Sequence, residues 1–171
     1  MNKAGLLALS LALTLAAAAC GDGNGGPSAL NAYFEALERA SNDAEARLAA
    51  LPTPSIAAGP SFETARDSFA QYYDDYATAT EDVITEFDAL APPDEAADEH
   101  RRFIDTLRDL TAVTYTYASR IRDATSEQEF QDAFLDTDEG EAAGQRVTEA
   151  CNALQALADE RAVEVDLDCG E

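Results

Sequence analysis

One histidine, one methionine, one lysine and no tryptophan stand in 171 residues, and these scarcities exclude much chemistry at once. A di-iron carboxylate bundle draws a Glu-x-x-His from each of two helices. His100 is the only histidine, and Ala97 occupies the position three before it. A haem bundle wants axial His or Met, but the one methionine is Met1 and no CxxCH occurs. A serine or cysteine nucleophile needs a base, normally histidine. His100 opens a helical segment just before Arg101 and Arg102, which reads as a surface histidine. Carboxylates are so abundant that pairs of them arise by chance and single out no acid-base dyad. Without tryptophan there is no ready stacking platform for a sugar. The expectation is a protein that is not an enzyme and carries no cofactor and no metal.

Positive charge is scarce as well. There are 34 acidic residues against 11 basic ones, a net charge of −23. Lys3 is the sole lysine, and every other cation is an arginine. Such a surface repels nucleic acid and anionic lipid headgroups, whose binding rests on Lys and Arg meeting phosphates. It attracts cations, polyamines or a basic protein partner. Solubility and salt tolerance are the plainer explanation, and both stay open.

The beginning of the chain has a different character. Met1-Asn2-Lys3 is a short basic start, and Ala4 to Ala19 is uncharged. As a helix that run is about 24 Å long, short for a bilayer core of roughly 30 Å. No cation follows until Arg39. Basic start, apolar middle and small residues at the end form the pattern of a secretory signal peptide. The last of these residues, Ala17-Ala18-Ala19-Cys20, resemble the lipobox of bacterial lipoproteins. The resemblance covers about 20 residues. It implies cleavage before Cys20, a thioether-linked diacylglycerol on that cysteine and fatty-acyl chains such as palmitate. Two or three chains at about 0.8 kcal/mol per buried methylene anchor a protein stably. The implied location is the cell envelope, with the protein held to the membrane at Cys20 and facing the periplasm or the cell exterior. Residues 1–19 are then the signal peptide, 20–27 the lipidated cysteine and a glycine-rich tether, and 28–171 a single helical domain.

An odd number of cysteines in an exported chain asks for an explanation. With Cys20 lipidated, Cys151 and Cys169 remain, and an oxidising compartment lets them join. Cys151 to about Ala162 reads as helix, and Val163-Glu164-Val165-Asp166-Leu167-Asp168 alternates apolar and acidic as an extended segment does. That segment is long enough to return Cys169 along the helix to Cys151, and any strand is confined to this tail. Two cysteines of a metal site are the rival reading, weakened by the lack of CxxC.

Punctuation divides the domain into four long segments. Leu30, Phe34, Leu37, Ser41, Ala44, Leu48 and Leu51 make the first apolar seam; Phe62, Phe69, Tyr76, Val83 and Leu90 make the second. Phe103, Leu107, Leu110, Thr114, Tyr117 and Ile121 make the third. Ser126 and Glu129 form a capping box before the fourth, which carries Phe130, Phe134, Val147, Cys151, Leu154 and Ala158. "LPTPSIAAGPS" and "APPDE" separate the first three segments. A weak point falls at "DTDEGEAAG", where Asp136 and Asp138 hint at a calcium loop but Gly140 and Val147 occupy ligand positions. The predicted fold is all-α, a four-helix up-down-up-down bundle whose short extended tail is disulfide-linked to the last helix. Asp43 with Arg47 and Asp98 with Arg102 read as solvated helix-face pairs. If the second and third helices turn about Pro92, residue i faces about residue 184 − i. Tyr72, Tyr73, Tyr76, Tyr115 and Tyr117 then share a mid-bundle layer with Thr111, Thr114 and Thr116. The layer is either tyrosine core with satisfied hydroxyls or a small polar cleft for a ligand. The functional expectation is a cell-envelope lipoprotein acting as a binding or protein-interaction module. A periplasmic carrier or sensor of metal, small cations or another ligand is the alternative.

Overall fold

A computed structural model of the protein describes residues 27–55, 59, 61–135 and 138–170. The leader, Cys20 and nearly all of the tether lie outside the described residues. Four long helices and one short one form a helical bundle: α1 (Pro27–Ala49), α2 (Phe62–Asp88), α3 (Ala97–Asp123), α4 (Glu127–Leu135) and α5 (Asp138–Glu160). Among the described residues none is in a strand, and no helix is long and apolar enough to cross a membrane.

Local chemistry accounts for most helix ends. Ser61 caps α2 by accepting the Thr64 N–H at 3.3 Å. Ser126 accepts the Glu129 N–H at 3.2 Å, while the Glu129 carboxylate reaches back to the Thr125 N–H at 2.7 Å. α3 begins later than its proline signal, at Ala97, after a cap residue, Ala96, that makes no side-chain hydrogen bond. Asp98 and Glu99 at its start and Arg120 and Arg122 at its end complement the helix dipole. α1 starts at Pro27, the last residue assigned to the tether.

α2 and α3, 27 residues each, make the longest contact. Asp88 pairs with Arg108 and Asp74 with Arg122, so the two helices run antiparallel. α5 packs on the next side of α3, and Glu139 in its first turn meets Arg120 near the α3 end. α1 covers the end where α2 finishes and α3 begins: Arg47 reaches Glu86 of α2 at 2.7 Å and Tyr33 meets His100 of α3. There Leu30, Phe34 and Leu37 join Val83, Phe87, Ile104, Leu154 and Ala158 in the main core. Phe34, Leu37, Ile104, Ile121 and Leu154 are fully enclosed, each contributing about 1.5–3 kcal/mol by burial.

The expected fourth helix is two helices with different tasks. Phe130 and Phe134 of α4 pack with Phe69, Ala70 and Ile121 in a separate cluster at the far end of the α2/α3 pair. Val147, Cys151, Leu154 and Ala158 of α5 serve the main core. Asp138 to Gly140 form the first turn of α5 rather than a calcium loop; Asp136 lies outside the described residues. The helix-face pairs also rearrange: Arg47 engages Glu86 instead of Asp43, and Asp98 pairs with Arg101 instead of Arg102.

Cys151 and Cys169 form a disulfide, with Cα atoms 5.5 Å apart. The turn that permits it is a Schellman motif: the Val163 N–H reaches the Ala158 carbonyl at 2.9 Å and the Ala162 N–H the Asp159 carbonyl at 3.0 Å. Ala162 holds the left-handed position, φ 53°. Past the turn, Val163 and Leu167 are buried against the core while Glu164, Asp166 and Asp168 face solvent. The tail is extended as its alternation predicts, but it is not a strand. No neighbouring strand offers it a ladder, so side chains serve its backbone. Gln155 donates to the Val165 carbonyl and accepts from the Leu167 N–H, both at 3.0 Å, and Glu38 of α1 accepts the Asp166 N–H at 3.1 Å.

Candidate functional site

Two polar regions of the bundle offer chemistry, and the five tyrosines of the expected layer are divided between one of them and a stacked cluster. Phe87 packs on Phe103 and Tyr73 on Tyr117, so residue i of α2 meets residue 190 − i of α3, not 184 − i. Tyr72, Tyr73, Tyr76 and Tyr117 are linked by ring contacts, with centroids 5.5, 6.3 and 6.1 Å apart along the chain of neighbours. The Arg120 guanidinium lies 5.9 Å over Tyr117. Gly140 of α5 allows the close approach: a β-carbon there would stand 3.2 Å from the Tyr117 ring. Burial, and secondarily the neighbouring Tyr72, raises the hydroxyl pKa of Tyr73 and Tyr76, so both phenols stay protonated.

Tyr115 is not in that cluster. Two residues apart on a helix means about 200° round its axis, so Tyr115 and Tyr117 leave α3 on different sides. Tyr115 instead lines an open groove of about 660 Å³ along α2 and α3. Ile84, Ala89 and Ala112 supply apolar surface, while Glu81, Asp88 and Arg108 stand around it. Arg108 is held by two carboxylates, Asp88 at 3.2 Å and Asp105 at 3.1 Å. Thr85 donates its hydroxyl to the Glu81 carbonyl and Thr111 to the Leu107 carbonyl. Thr114 and Thr116 do the same one turn back on α3. The threonine hydroxyls therefore offer acceptor lone pairs, with their protons already engaged.

The second region is the joint of α1 with α3. His100 is buried, not on the surface: 6% of it is exposed, and its Nδ1 lies 2.9 Å from the hydroxyl of Tyr33, itself 5% exposed. Burial pushes the imidazole below its ordinary pKa, with the charge of Asp88 working the other way. Burial, reinforced by Glu99, holds the Tyr33 phenol far above its usual range. A neutral imidazole can accept the phenol proton, and the pair pins α1 to the start of α3. The signal lay in the spacing. His100 precedes Phe103, Ile104 and Leu107 by three, four and seven residues, the core stripe of α3. Tyr33, missed altogether, sits between Leu30 and Leu37 at helical spacing.

Cys20 lies outside the described residues; Cys151 and Cys169 are joined to each other. Among the described residues no group of three or more His, Cys, Asp or Glu side chains is placed to hold a metal ion. No buried side-chain nitrogen or oxygen among them lacks a hydrogen-bond partner. Compared with known proteins, the chain matches no family model, no curated protein and no solved structure.

Proposed function

We propose that the protein is a cell-envelope lipoprotein, anchored through lipid on Cys20, whose acidic helical bundle serves as a non-catalytic binding or protein-interaction module. The disulfide is the observation that carries this reading. Bridged cysteines belong to oxidising compartments, and pairing Cys151 with Cys169 leaves Cys20 as the odd cysteine. It directly follows the apolar leader and precedes the glycine-rich tether, where a lipid anchor is expected. The interaction role rests on the surplus of acid: 34 carboxylates against 11 cations, a surface complementary to a basic partner. His100 is engaged with Tyr33, which supports a structural rather than catalytic histidine. The same reading takes α1, α2, α3 and α5 as alternating up and down, supported by the antiparallel pairing of α2 with α3.

Intact-mass and peptide mass spectrometry on protein purified from its own membranes tests the anchor. The expected result is a chain beginning at Cys20 with added mass fitting acyl chains. An unmodified Cys20 overturns the reading. A carrier or sensor of small cations is the second reading, favoured by the acceptor-rich α2/α3 groove.

A further inference from the structure

We infer that the α2/α3 groove is a binding site for a small organic cation, a primary ammonium or guanidinium group on a short apolar body. This names a ligand class for the binding role proposed above and rests on that reading. The groove's size, about 660 Å³, is that of a small-molecule site. Its chemistry is one-sided. Thr85 and Thr111 have committed their protons to their own helices, so toward a ligand they accept only. Arg108, the cation of the lining, pairs with Asp88 and Asp105, and with Glu81 also on the groove the carboxylates outnumber it. Glu81 stands on the rim with Asp88 two helical turns further on. A ligand rich in donors and positive charge therefore finds partners, and an anion meets carboxylates.

The rest of the lining selects against a bare metal ion. Ile84 and Ala112 present carbon, and Tyr115 adds an aromatic wall. An inorganic cation gains nothing from those surfaces, whereas an alkyl or aryl ammonium covers them while its head meets Glu81. Tyrosine beside the cation adds attraction from the ring face.

The test is calorimetric titration of the full chain with phenethylammonium chloride, beside neutral 2-phenylethanol and anionic 3-phenylpropionate of similar size. Saturable one-site binding of the cation, with neither analogue competing, is expected. Glu81→Gln should weaken it about five-fold, the effect of one partly screened ion pair. Ala112→Trp and Ala89→Trp, which fill the groove from opposite helices at exposed positions, should each abolish it. Glu35→Gln, on the exposed face of α1, should leave it unchanged. Binding that survives both tryptophan variants, or that Glu35→Gln weakens as much as Glu81→Gln, means diffuse attraction by net charge and overturns the site. So does absence of saturation by the cation. The mass at Cys20 is read separately, so a lipidated protein with no groove binding defeats this inference alone.

Discussion

Replacing alanine by glycine should stabilise this protein in the turn just past α5 and destabilise it six residues earlier, inside that helix. At Ala162 the backbone is left-handed, φ 53°, a conformation that costs an L-residue with a β-carbon about 1–2 kcal/mol. Glycine removes that strain but loosens the unfolded chain by about 0.4–1 kcal/mol. The Ala162 side chain is exposed, so no core contact is lost. The two hydrogen bonds of the turn, Val163 to Ala158 and Ala162 to Asp159, belong to the backbone and survive. The net expectation for Ala162→Gly is a gain of about 0.5–1 kcal/mol. Ala156 is equally exposed but lies inside regular helix, where Ala→Gly costs about 1 kcal/mol. Urea unfolding followed by far-UV circular dichroism compares the midpoints at constant slope. Opposite shifts are expected. If both variants unfold at lower urea than the parent, the left-handed turn is not what returns the tail, and the account of the disulfide's geometry fails with it.

Other consequences are open to measurement. Cys169→Ser opens a loop of sequence separation 18 and should cost about 3 kcal/mol in the chain-entropy account; thermal unfolding with and without reductant checks this, the variant being indifferent to reductant. Leu154→Ala, at a side chain with no exposed surface, should cost about 3–5 kcal/mol through the cavity it leaves, read as a lowered urea midpoint. His100 has a folded pKa below its ordinary value because it is buried. Below about pH 6.5 the unfolded chain takes up a proton that the folded site resists, so stability falls as pH falls through that window. Tyr33 bonds the imidazole and the charge of Asp88 acts on it, while Glu99 acts on Tyr33; the rest of the acidic surface is common to parent and variant. The parent should therefore lose more stability on acidification than His100→Gln, and equal losses would remove the histidine from the account. Tyr33→Phe deprives a buried imidazole nitrogen of its partner and should cost about 1–3 kcal/mol, again by urea midpoint.

The seams of the helices were legible because apolar periodicity survives in any packing. Leu30, Phe34, Leu37, Val83, Phe103, Leu107 and Leu154, all expected on seams, are all buried. The cap at Ser126 was legible because it is a local hydrogen bond within three residues. His100 was misread because Arg101 and Arg102 beside it are exposed, and neighbours in sequence point in different directions on a helix. The same confusion grouped Tyr115 with Tyr117. The fourth segment reads as one helix with a weak point at "DTDEGEAAG" because α4 and α5 are each apolar on one face, although those faces meet different clusters.

Helix content, the seams and the pairing of Cys151 with Cys169 followed from residue types and spacings along the chain. The tertiary structure alone decided the α2/α3 register, the burial of His100 against Tyr33 and the groove holding Tyr115. The physical reason is range. A helix and its caps are set by residues three or four apart. A register such as Tyr73 on Tyr117, or a bond such as Tyr33 to His100, is a compromise among all the packed faces at once.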